Sequence, residues 1–476
     1  MYVLNMKKLL SRLCLLVLAL LLVLACDPTS DPDPEQEVTR EELLQMQTSE
    51  YTVGETEHLT PEQWADFVFG ERQLMGVGDS LSAADKAAAE AREAFLRRCH
   101  EKEDSLANEL GENAFTLIFG RKNFNYQSID EHGDPITLSA FLGWGEYWVP
   151  FKYYPLDQDG IRLVCPYTHT KEDECATADG GGYEFTTQTG DYLFIMPDGE
   201  GFGVNKGHDQ LYLNHKVQAR QIFDALAAGY NIYVNDIKGC FEDGWTLCVY
   251  GASQGAADAI AVQRYLENEG IPFGTSVFPY ALIYGFDYSF VCCGPYSPVA
   301  TLEEYYRQGK VYYPLVLPLT IKSMRTSYPE LAQNYAEERF YSDKYVASLS
   351  LWDDIITGKK LTADDLNAKL LKSLQTDDEK KKGETFLRLE RILSAEVLDT
   401  TTQIYKDFME CLLEQDLTTG WTPHQKAHIY YSKNDEVVPY VNSQKLMQLF
   451  GSKAEKEEAF WDGHVACCTQ FMLKSW

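Results

Sequence analysis

The sequence predicts an α/β protein built on a mostly parallel sheet, and two observations support that class. From about residue 116 onward, apolar runs typical of strands alternate with stretches whose apolar residues recur at helical spacing. Of the 476 residues, 45% are hydrophobic and 13% are aromatic, which is enough for a large core. Strands that alternate with helices form parallel sheets covered on both faces.

The net charge excludes one class of function. The chain has 72 Asp and Glu against 42 Lys and Arg, so its formal net charge is −30. Phosphate backbones are bound through surplus cationic side chains. We therefore do not expect a nucleic-acid-binding protein.

The first residues are typical of an export signal. Three cations precede an unbroken apolar run from Leu13 to Ala25, which is too short to span a bilayer, so residues 1–25 are predicted to be a signal peptide. The run ends in Leu24-Ala25-Cys26, which is similar to the lipobox of bacterial lipoproteins. Cys26 is therefore the predicted lipidation site, and it would anchor an exported protein to the membrane in the periplasm or at the cell surface. The alternative is a plain signal peptide with an incidental cysteine.

The rest of the chain is predicted to divide into five parts. Residues 26–37 are acidic and rich in proline, which indicates a solvated tether. Residues 38–115 are predicted to be helical, because Thr60-Pro61-Glu62-Gln63 has the composition of a helix start and an alanine-rich stretch follows. Residues 116–290 and 426–476 are predicted to carry the sheet. Residues 291–425 are mainly helical in character and are predicted to form an inserted cap.

The strands and helices of the sheet-bearing parts follow from periodicity. Strands are predicted at Ile136 to Trp144, Ile161 to Pro166, Tyr192 to Pro197, Trp245 to Tyr250, Val277 to Tyr284, His428 to Tyr431 and Ala459 to Trp461. Apolar residues at helical spacing predict one helix around Ala219 to Leu226 and another around Ala257 to Tyr265.

One motif carries chemistry. Gly251-Ala252-Ser253-Gln254-Gly255 matches GxSxG, directly follows a predicted strand and begins a predicted helix. That arrangement holds a serine on a strained elbow, and the flanking glycines avoid collisions with neighbouring backbone. The helix N-terminus adds positive potential where negative charge must develop. Ser253 is thus the candidate nucleophile, and an ordinary glycine-rich turn is the alternative.

Such a nucleophile needs a base oriented by an acid. A serine hydroxyl reacts only when a base takes its proton, so a histidine paired with a carboxylate should follow downstream. Asp435 follows the predicted strand at 428–431, and His464 follows the one at 459–461. Asp287, which follows the predicted strand at 277–284, is an alternative acid. Asp462 is interpreted as a solvated turn carboxylate.

The sequence gives little support for a metal ion or a cofactor. Gly199, Gly201 and Gly203 do not complete GxGxxG, because residue 204 is Val. CxxC is absent, and His424 and His428 are interpreted as surface histidines.

The cysteines permit disulfides in an exported protein. Of 12 cysteines, Cys14 would leave with the signal and Cys26 would be acylated, so 12 − 2 = 10 remain. Two pairs are close enough in sequence to close short loops: Cys165 with Cys175, and Cys240 with Cys248. The adjacent pairs Cys292-Cys293 and Cys467-Cys468 could meet only through the fold, so the connectivity stays open.

Over about residues 120 to 476, the GxSxG motif and the order of Ser253, Asp435 and His464 resemble the α/β-hydrolase superfamily. The resemblance implies an eight-stranded, mostly parallel sheet with an inserted cap. It also implies that Ser253 is the nucleophile, Asp435 the acid and His464 the base. Pro197-Asp198-Gly199-Glu200-Gly201 is similar to the PDYEG segment of the secretory lipase branch, with Gly199 in place of Tyr. This similarity implies an oxyanion hole formed by Asp198 and the backbone N–H of Gln254.

These expectations predict an extracytoplasmic serine hydrolase that cleaves carboxylic esters through an acyl-enzyme on Ser253. Its substrate would be a small-molecule, lipid or glycan ester, and the reaction needs neither cofactor nor metal ion. A serine peptidase of the same fold would use the same three groups. A third hypothesis is a non-catalytic surface binding lipoprotein on a hydrolase scaffold.

Overall fold

The computed structural model describes residues 50–69, 79–110, 116–149, 152–178, 190–268 and 286–474. The predicted signal peptide, the tether with Cys26 and the predicted strand at Val277 to Tyr284 lie outside these residues. All the described residues belong to one compact unit, Arg40–Trp476.

A mixed sheet of eleven strands organises the described residues. In chain order, its first nine strands are β1 (Tyr51–Val53), β2 (Glu57–Leu59), β3 (Thr116–Ile129), β4 (Pro135–Val149), β5 (Lys152–Pro155), β6 (Gln158–Cys165), β7 (Tyr192–Pro197), β8 (Phe241–Ala252) and β9 (Tyr288–Cys292). A separate two-stranded ribbon of β10 (Lys310–Val311) and β11 (Leu387–Arg388) comes next, and β12 (Lys426–Tyr431) and β13 (Ala454–Glu458) complete the large sheet. The spatial order is β1-β3-β4-β7-β6-β8-β9-β12-β13, with β2 also on β3 and β5 on β4.

The sheet has an antiparallel part and a parallel part. Strands β1 to β5 pair antiparallel, as does β4 with β7. From β7 through β6, β8, β9 and β12 to β13, every pair is parallel. The predicted α/β class agrees with this mixed sheet. The predicted eight-stranded, mostly parallel sheet does not, because the observed sheet has eleven strands and a larger share of antiparallel pairs. Strands of three or four residues, such as β1, β2 and β5, are too short to give a clear periodic pattern.

The helices of the described residues cover the sheet and fill the interval between β9 and β12. They are α1 (Pro61–Phe69), α2 (Asp79–Leu110), α3 (His215–Ile232), α4 (Gln254–Glu267), α5 (Pro298–Gln308), α6 (Val316–Ser327), α7 (Pro329–Asn334), α8 (Asp343–Val346), α9 (Leu349–Thr357), α10 (Ala363–Leu374), α11 (Asp377–Lys381), α12 (Ala395–Leu398), α13 (Gln403–Glu414), α14 (Val441–Phe450) and α15 (His464–Met472). Residues 298–414, here called the helical insertion, bury a core of their own around Trp352, Leu370 and Phe408. That this insertion acts as a cap stays a prediction.

Most of the predicted elements coincide with observed ones. The structure confirms the strands predicted at 136–144, 161–166, 192–197, 245–250 and 428–431, and α3 and α4 confirm the two predicted helices. The strand predicted at Ala459 to Trp461 is wrong, because β13 ends at Glu458. β13 lies at the edge of the sheet, four of its five residues are charged and most are exposed, so it carries no apolar signal.

The predicted helix start at Thr60 has its reciprocal hydrogen bonds. The N–H of Gln63 donates to Thr60 Oγ1 at 3.3 Å, and the N–H of Thr60 donates to Gln63 Oε1 at 2.9 Å. Residues 38–115 are not helical throughout, since β1 and β2 precede this helix. In the part of the chain that the structure describes, no helix combines the length and the apolar character needed to cross a membrane.

Candidate active site

Ser253 lies on a sharp turn between β8 and α4. Its φ of 53° and ψ of −123° are unusual for a residue with a side chain, and its N–H donates to the carbonyl of Cys292 at 2.9 Å. A Cβ on Gly251 would lie 2.0 Å from the carbonyl oxygen of Gly255, and one on Gly255 would lie 2.2 Å from that of Cys165. Both glycines are therefore required by close backbone contacts, as the motif predicts.

His464 approaches Ser253 from the first residue of α15. Its Nε2 lies 2.9 Å from Ser253 Oγ, so the hydroxyl can donate a hydrogen bond to the ring. The preceding Gly463 has a φ of 90°, and the N–H of His464 donates to Glu436 Oε2 at 3.2 Å. The turn before α15 and the Glu436 carboxylate thus fix the direction in which the ring enters the site.

Asp435 completes the hydrogen-bonded chain from the loop after β12. Its Oδ2 lies 2.7 Å from His464 Nδ1, which donates to it. Its Oδ1 accepts hydrogen bonds from the N–H groups of Val437 at 2.9 Å and Val438 at 2.7 Å. Both carboxylate oxygens therefore have defined partners, and the side chain is only 2% exposed.

The charge of Asp435 determines how His464 titrates. Burial alone would lower the pKa of His464, but the charge and hydrogen bond of Asp435, together with the neighbouring thiols of Cys468 and Cys293, outweigh burial and raise that pKa well above its ordinary value. An imidazolium that forms when the ring accepts a proton is therefore stabilised in place.

Ser253 and His464 open onto a cavity of about 100 Å³. Its lining is mostly aliphatic and aromatic, and much of it belongs to the helical insertion. Examples are Leu302, Tyr305, Leu315, Leu317, Phe408 and Leu412. Asp364 is the one carboxylate among the described residues of this lining.

Solved structures of similar architecture include known hydrolases. The rice cell wall degrading esterase LipA from Xanthomonas oryzae is 16% identical, with 89% of this chain and 94% of that chain covered and a TM-score of 0.58. A protein of Legionella pneumophila is 14% identical, with 89% and 95% covered and a TM-score of 0.59. Candida antarctica lipase A in its closed state is 14% identical, with 73% of each chain covered and a TM-score of 0.50.

The chain has an α/β-hydrolase fold. No protein-family model matches the sequence, and no curated protein matches it. At these identities, the similarity shows the α/β-hydrolase fold alone. It does not show the role of any residue, which has to be inferred from the geometry of the site.

The two residues predicted for the oxyanion hole differ in the bonding of their N–H groups. Gln254 begins α4, so its N–H has no acceptor within the helix and lies next to Ser253 in the chain. The N–H of Asp198, by contrast, donates to the carbonyl of Ser139 at 3.0 Å. The Asp198 carboxylate accepts from Ser139 Oγ at 2.5 Å and from the N–H of Thr177 at 2.9 Å. Asp198 lines a second cavity, which Tyr167 and Gln254 also line, and its role in an oxyanion hole stays a prediction.

Sequence reasoning missed the loop after β6. Tyr167 and Thr168 of that loop line the Ser253 cavity, and a Cβ on Gly255 would lie 2.6 Å from the carbonyl oxygen of Pro166. The loop therefore lies against the elbow. In α/β-hydrolases, one oxyanion donor is a backbone N–H from the loop after the strand beside the nucleophile strand, but strand order is not visible in a sequence.

Asp287, the alternative acid, is far from His464 along the sheet. It precedes β9, its N–H donates to the carbonyl of Leu247 at 2.7 Å, and its Oδ2 accepts from the N–H of Leu247 at 2.6 Å. Leu247 lies near the middle of β8, six residues before Ser253. The alternative is therefore wrong, because the strand in this region begins after Asp287.

Asp462 is an exposed turn carboxylate, as interpreted from the sequence. It accepts hydrogen bonds from Asn434 Nδ2 at 2.8 Å and from Ser432 Oγ at 3.3 Å. It therefore joins the loop that carries Asp435 to the loop that carries His464.

The ten cysteines of the described residues are free thiols. Neither Cys165 with Cys175 nor Cys240 with Cys248 forms a disulfide. Among the residues that the structure describes, the groups that could hold a metal ion involve neither His424 nor His428. Both groups contain cysteines of the two adjacent pairs, which the fold does bring together.

Proposed function

We propose that this protein is an extracytoplasmic serine hydrolase that cleaves carboxylic esters through an acyl-enzyme on Ser253. One observation supports the proposal most. A continuous hydrogen-bonded chain runs from Ser253 through His464 to Asp435, and it begins at the wall of an apolar cavity.

In the proposed acylation step, Ser253 Oγ attacks the ester carbonyl while His464 Nε2 accepts its proton. Asp435 holds the proton on Nδ1 and stabilises the imidazolium that results. The ring then gives the proton to the leaving alcohol, and the acyl group stays on Ser253. In deacylation, water attacks the acyl-enzyme by the same route, releases the acid and restores the serine.

The negative charge of the tetrahedral intermediate needs hydrogen-bond donors. We assign one donor to the N–H of Gln254, at the positive end of α4, and a second to the loop of Tyr167 and Thr168 after β6. Asp198 is left out of this set, because its N–H is bonded to Ser139.

The cavity supports an apolar acyl group on the ester. Leucine, phenylalanine and tyrosine side chains make most of its lining, with a single carboxylate among the described residues. An apolar chain would be removed from water there at a gain of about 0.8 kcal/mol per methylene. The esterase and lipase names of two structural neighbours agree with an ester substrate. Peptide bonds with charged flanking residues fit this lining less well.

An active-site-directed fluorophosphonate tests the proposal. It should label the wild-type chain and not Ser253→Ala, which should also lose at least about 10⁴-fold of the turnover of a short-chain ester. Ser323→Ala is a matched control, because Ser323 is buried on α6, is not among the residues that line the cavity, and its hydroxyl has no partner among the described residues. Equal labelling of Ser253→Ala would refute the proposal. Faster cleavage of peptides than of matched esters would point instead to the peptidase.

A further inference from the structure

Four cysteines cluster beside the histidine of the site, and the sulfurs of two of them, Cys293 and Cys468, lie within 4.8 Å of a ring nitrogen of His464. Cys292 ends β9 and Cys293 follows it, whereas Cys467 and Cys468 lie on α15 just after His464. All four side chains are buried and at most 4% exposed. The fold thus gathers thiols from two distant stretches of the chain.

Three distances among these groups are close to those of a tetrahedral metal site. The Sγ of Cys467 lies 3.3 Å from that of Cys293 and 3.6 Å from that of Cys292, and Cys468 Sγ lies 4.0 Å from His464 Nε2. A tetrahedral zinc ion with bonds of about 2.3 Å to sulfur and 2.0 Å to nitrogen places two sulfurs about 3.8 Å apart, and a sulfur and a nitrogen about 3.5 Å apart. The observed spacings differ from these values by about 0.5 Å or less.

The ligand atoms form two groups that share the Cys293 sulfur. One group is Cys292, Cys293 and Cys467, and the other is Cys293, His464 and Cys468. Within each group, all the ligand atoms lie within 4.8 Å of one another. Thiolates combined with an imidazole favour thiophilic d¹⁰ cations such as Zn²⁺ and Cd²⁺ over Mg²⁺ or Ca²⁺.

The second group also has access and outer-shell support. His464 and Cys468 line the Ser253 cavity, so a cation can reach them from there. Asp435 accepts a hydrogen bond from His464 Nδ1, and this is how carboxylates commonly orient a metal-binding histidine whose Nε2 faces the ion.

We propose that Cys293, Cys468 and His464, backed by Cys292 and Cys467, bind a thiophilic d¹⁰ cation that inhibits the enzyme. The lone pair of His464 Nε2 that binds the cation is the one that faces Ser253 Oγ at 2.9 Å. A bound cation therefore prevents the ring from accepting the serine proton. The inhibition rests on the proposed function, whereas the binding site does not.

Cadmium titration tests both parts. Cd²⁺ is added to the metal-free exported chain, thiolate-to-cadmium binding is read from its ultraviolet absorbance, and ester turnover is measured in the same samples. We expect saturation at about one equivalent, turnover that falls at least about tenfold in parallel with the absorbance change, and recovery with a chelator. Saturable binding without inhibition would refute His464 as a ligand.

Substitutions locate the site. Loss of outer-shell partners alone typically costs about 10- to 100-fold in metal affinity, so Cys468→Ser and Cys293→Ser should each weaken Cd²⁺ binding at least about tenfold. Cys411→Ser is the control, because Cys411 is a buried thiol on α13 outside the cluster, and it should bind and respond like the wild type. If Cys293→Ser does not fold, Cd²⁺ binding to Cys467→Ser tests the same cluster of thiols. Unchanged binding in the variants that fold would overturn the site.

Two further results separate the possible failures. A disulfide between Cys293 and Cys467 in the protein as isolated would overturn the cation site, because those sulfurs could no longer serve as thiolates. A metal-free protein that neither hydrolyses esters nor reacts with the fluorophosphonate would refute the proposed function, while the absorbance titration would still decide on the site.

Discussion

Substitution of Asp435 by Asn tests the proposed role of the acid, because the structure determines how the new amide must sit. The N–H groups of Val437 and Val438 both donate to Oδ1, at 2.9 and 2.7 Å. In Asp435→Asn, these two donors hold the amide oxygen at that position. The NH₂ group therefore replaces the Oδ2 that now lies 2.7 Å from His464 Nδ1.

An NH₂ group at this position reverses the direction of the hydrogen bond at His464 Nδ1. It donates to Nδ1, so the neutral ring must carry its proton on Nε2, where it faces Ser253 Oγ. An Nε2–H cannot accept the serine proton. The same substitution in serine proteases, which forces the wrong tautomer, lowers kcat by about 10⁴-fold, or about 5.5 kcal/mol at 1.36 kcal/mol per decade. We expect a loss of this size here with little change in fold.

The assay is steady-state hydrolysis of a short-chain ester at saturating substrate, with circular dichroism as a check on folding. Asp462→Asn is the matched control, because Asp462 lies two residues from His464 and bonds to Asn434 and Ser432 instead of the ring. It should retain turnover within about tenfold of the wild type. Turnover of Asp435→Asn within tenfold of the wild type, or an equal loss in Asp462→Asn, would refute the reasoning.

Three other predictions follow from the site and the sequence. Asp435 raises the pKa of His464, and only the neutral ring can accept a proton, so kcat/KM should fall on acidification through a pKa above the usual imidazole value of about 6.5. The residual activity of Asp435→Asn should fall at a lower pH than that of the wild type. Superimposable pH profiles of the two proteins would contradict this prediction. Ala363 is buried at the cavity wall, so Ala363→Phe should lower hydrolysis of long-chain esters at least about tenfold relative to an acetate ester, measured as the ratio of kcat/KM values. The Cys26-containing product should incorporate a labelled fatty acid in a bacterial host and Cys26→Ser should not, whereas a wild-type product without label would rule out the anchor.

The sequence predicted a candidate nucleophile, base and acid because each is tied to a local pattern. Ser253 is marked by flanking glycines that the backbone contacts require, and Asp435 and His464 follow late strands in the chain. Parallel strands end at the same edge of a sheet, so these residues could be expected to meet. The hydrogen bonds between them agree with that expectation.

The second donor that we propose for the oxyanion hole was not predicted from the sequence, because its position depends on strand order. Asp198 follows β7 and belongs to a segment similar to a lipase motif, but β6 lies between β7 and the nucleophile strand β8. The loop that contacts the elbow is the one after β6, which carries no recognisable motif. Asp287 failed as an alternative acid for a related reason, since it precedes its strand instead of following it. The meeting of Cys293 with Cys467 likewise depends on tertiary packing.

The candidate catalytic residues and most of the cavity wall beside them belong to separate parts of the chain. Ser253, Asp435 and His464 are held by strand ends and by short loops with their own hydrogen bonds. The cavity walls come largely from the helical insertion, which has a core of its own. A substitution deep in the insertion can therefore reshape the acyl pocket without moving the ring of His464. Acyl-chain preference and the turnover of an acetate ester should vary independently among such variants, except at Tyr305, whose hydroxyl donates to the carbonyl of Val437 at 2.5 Å and so connects the insertion to the loop of Asp435.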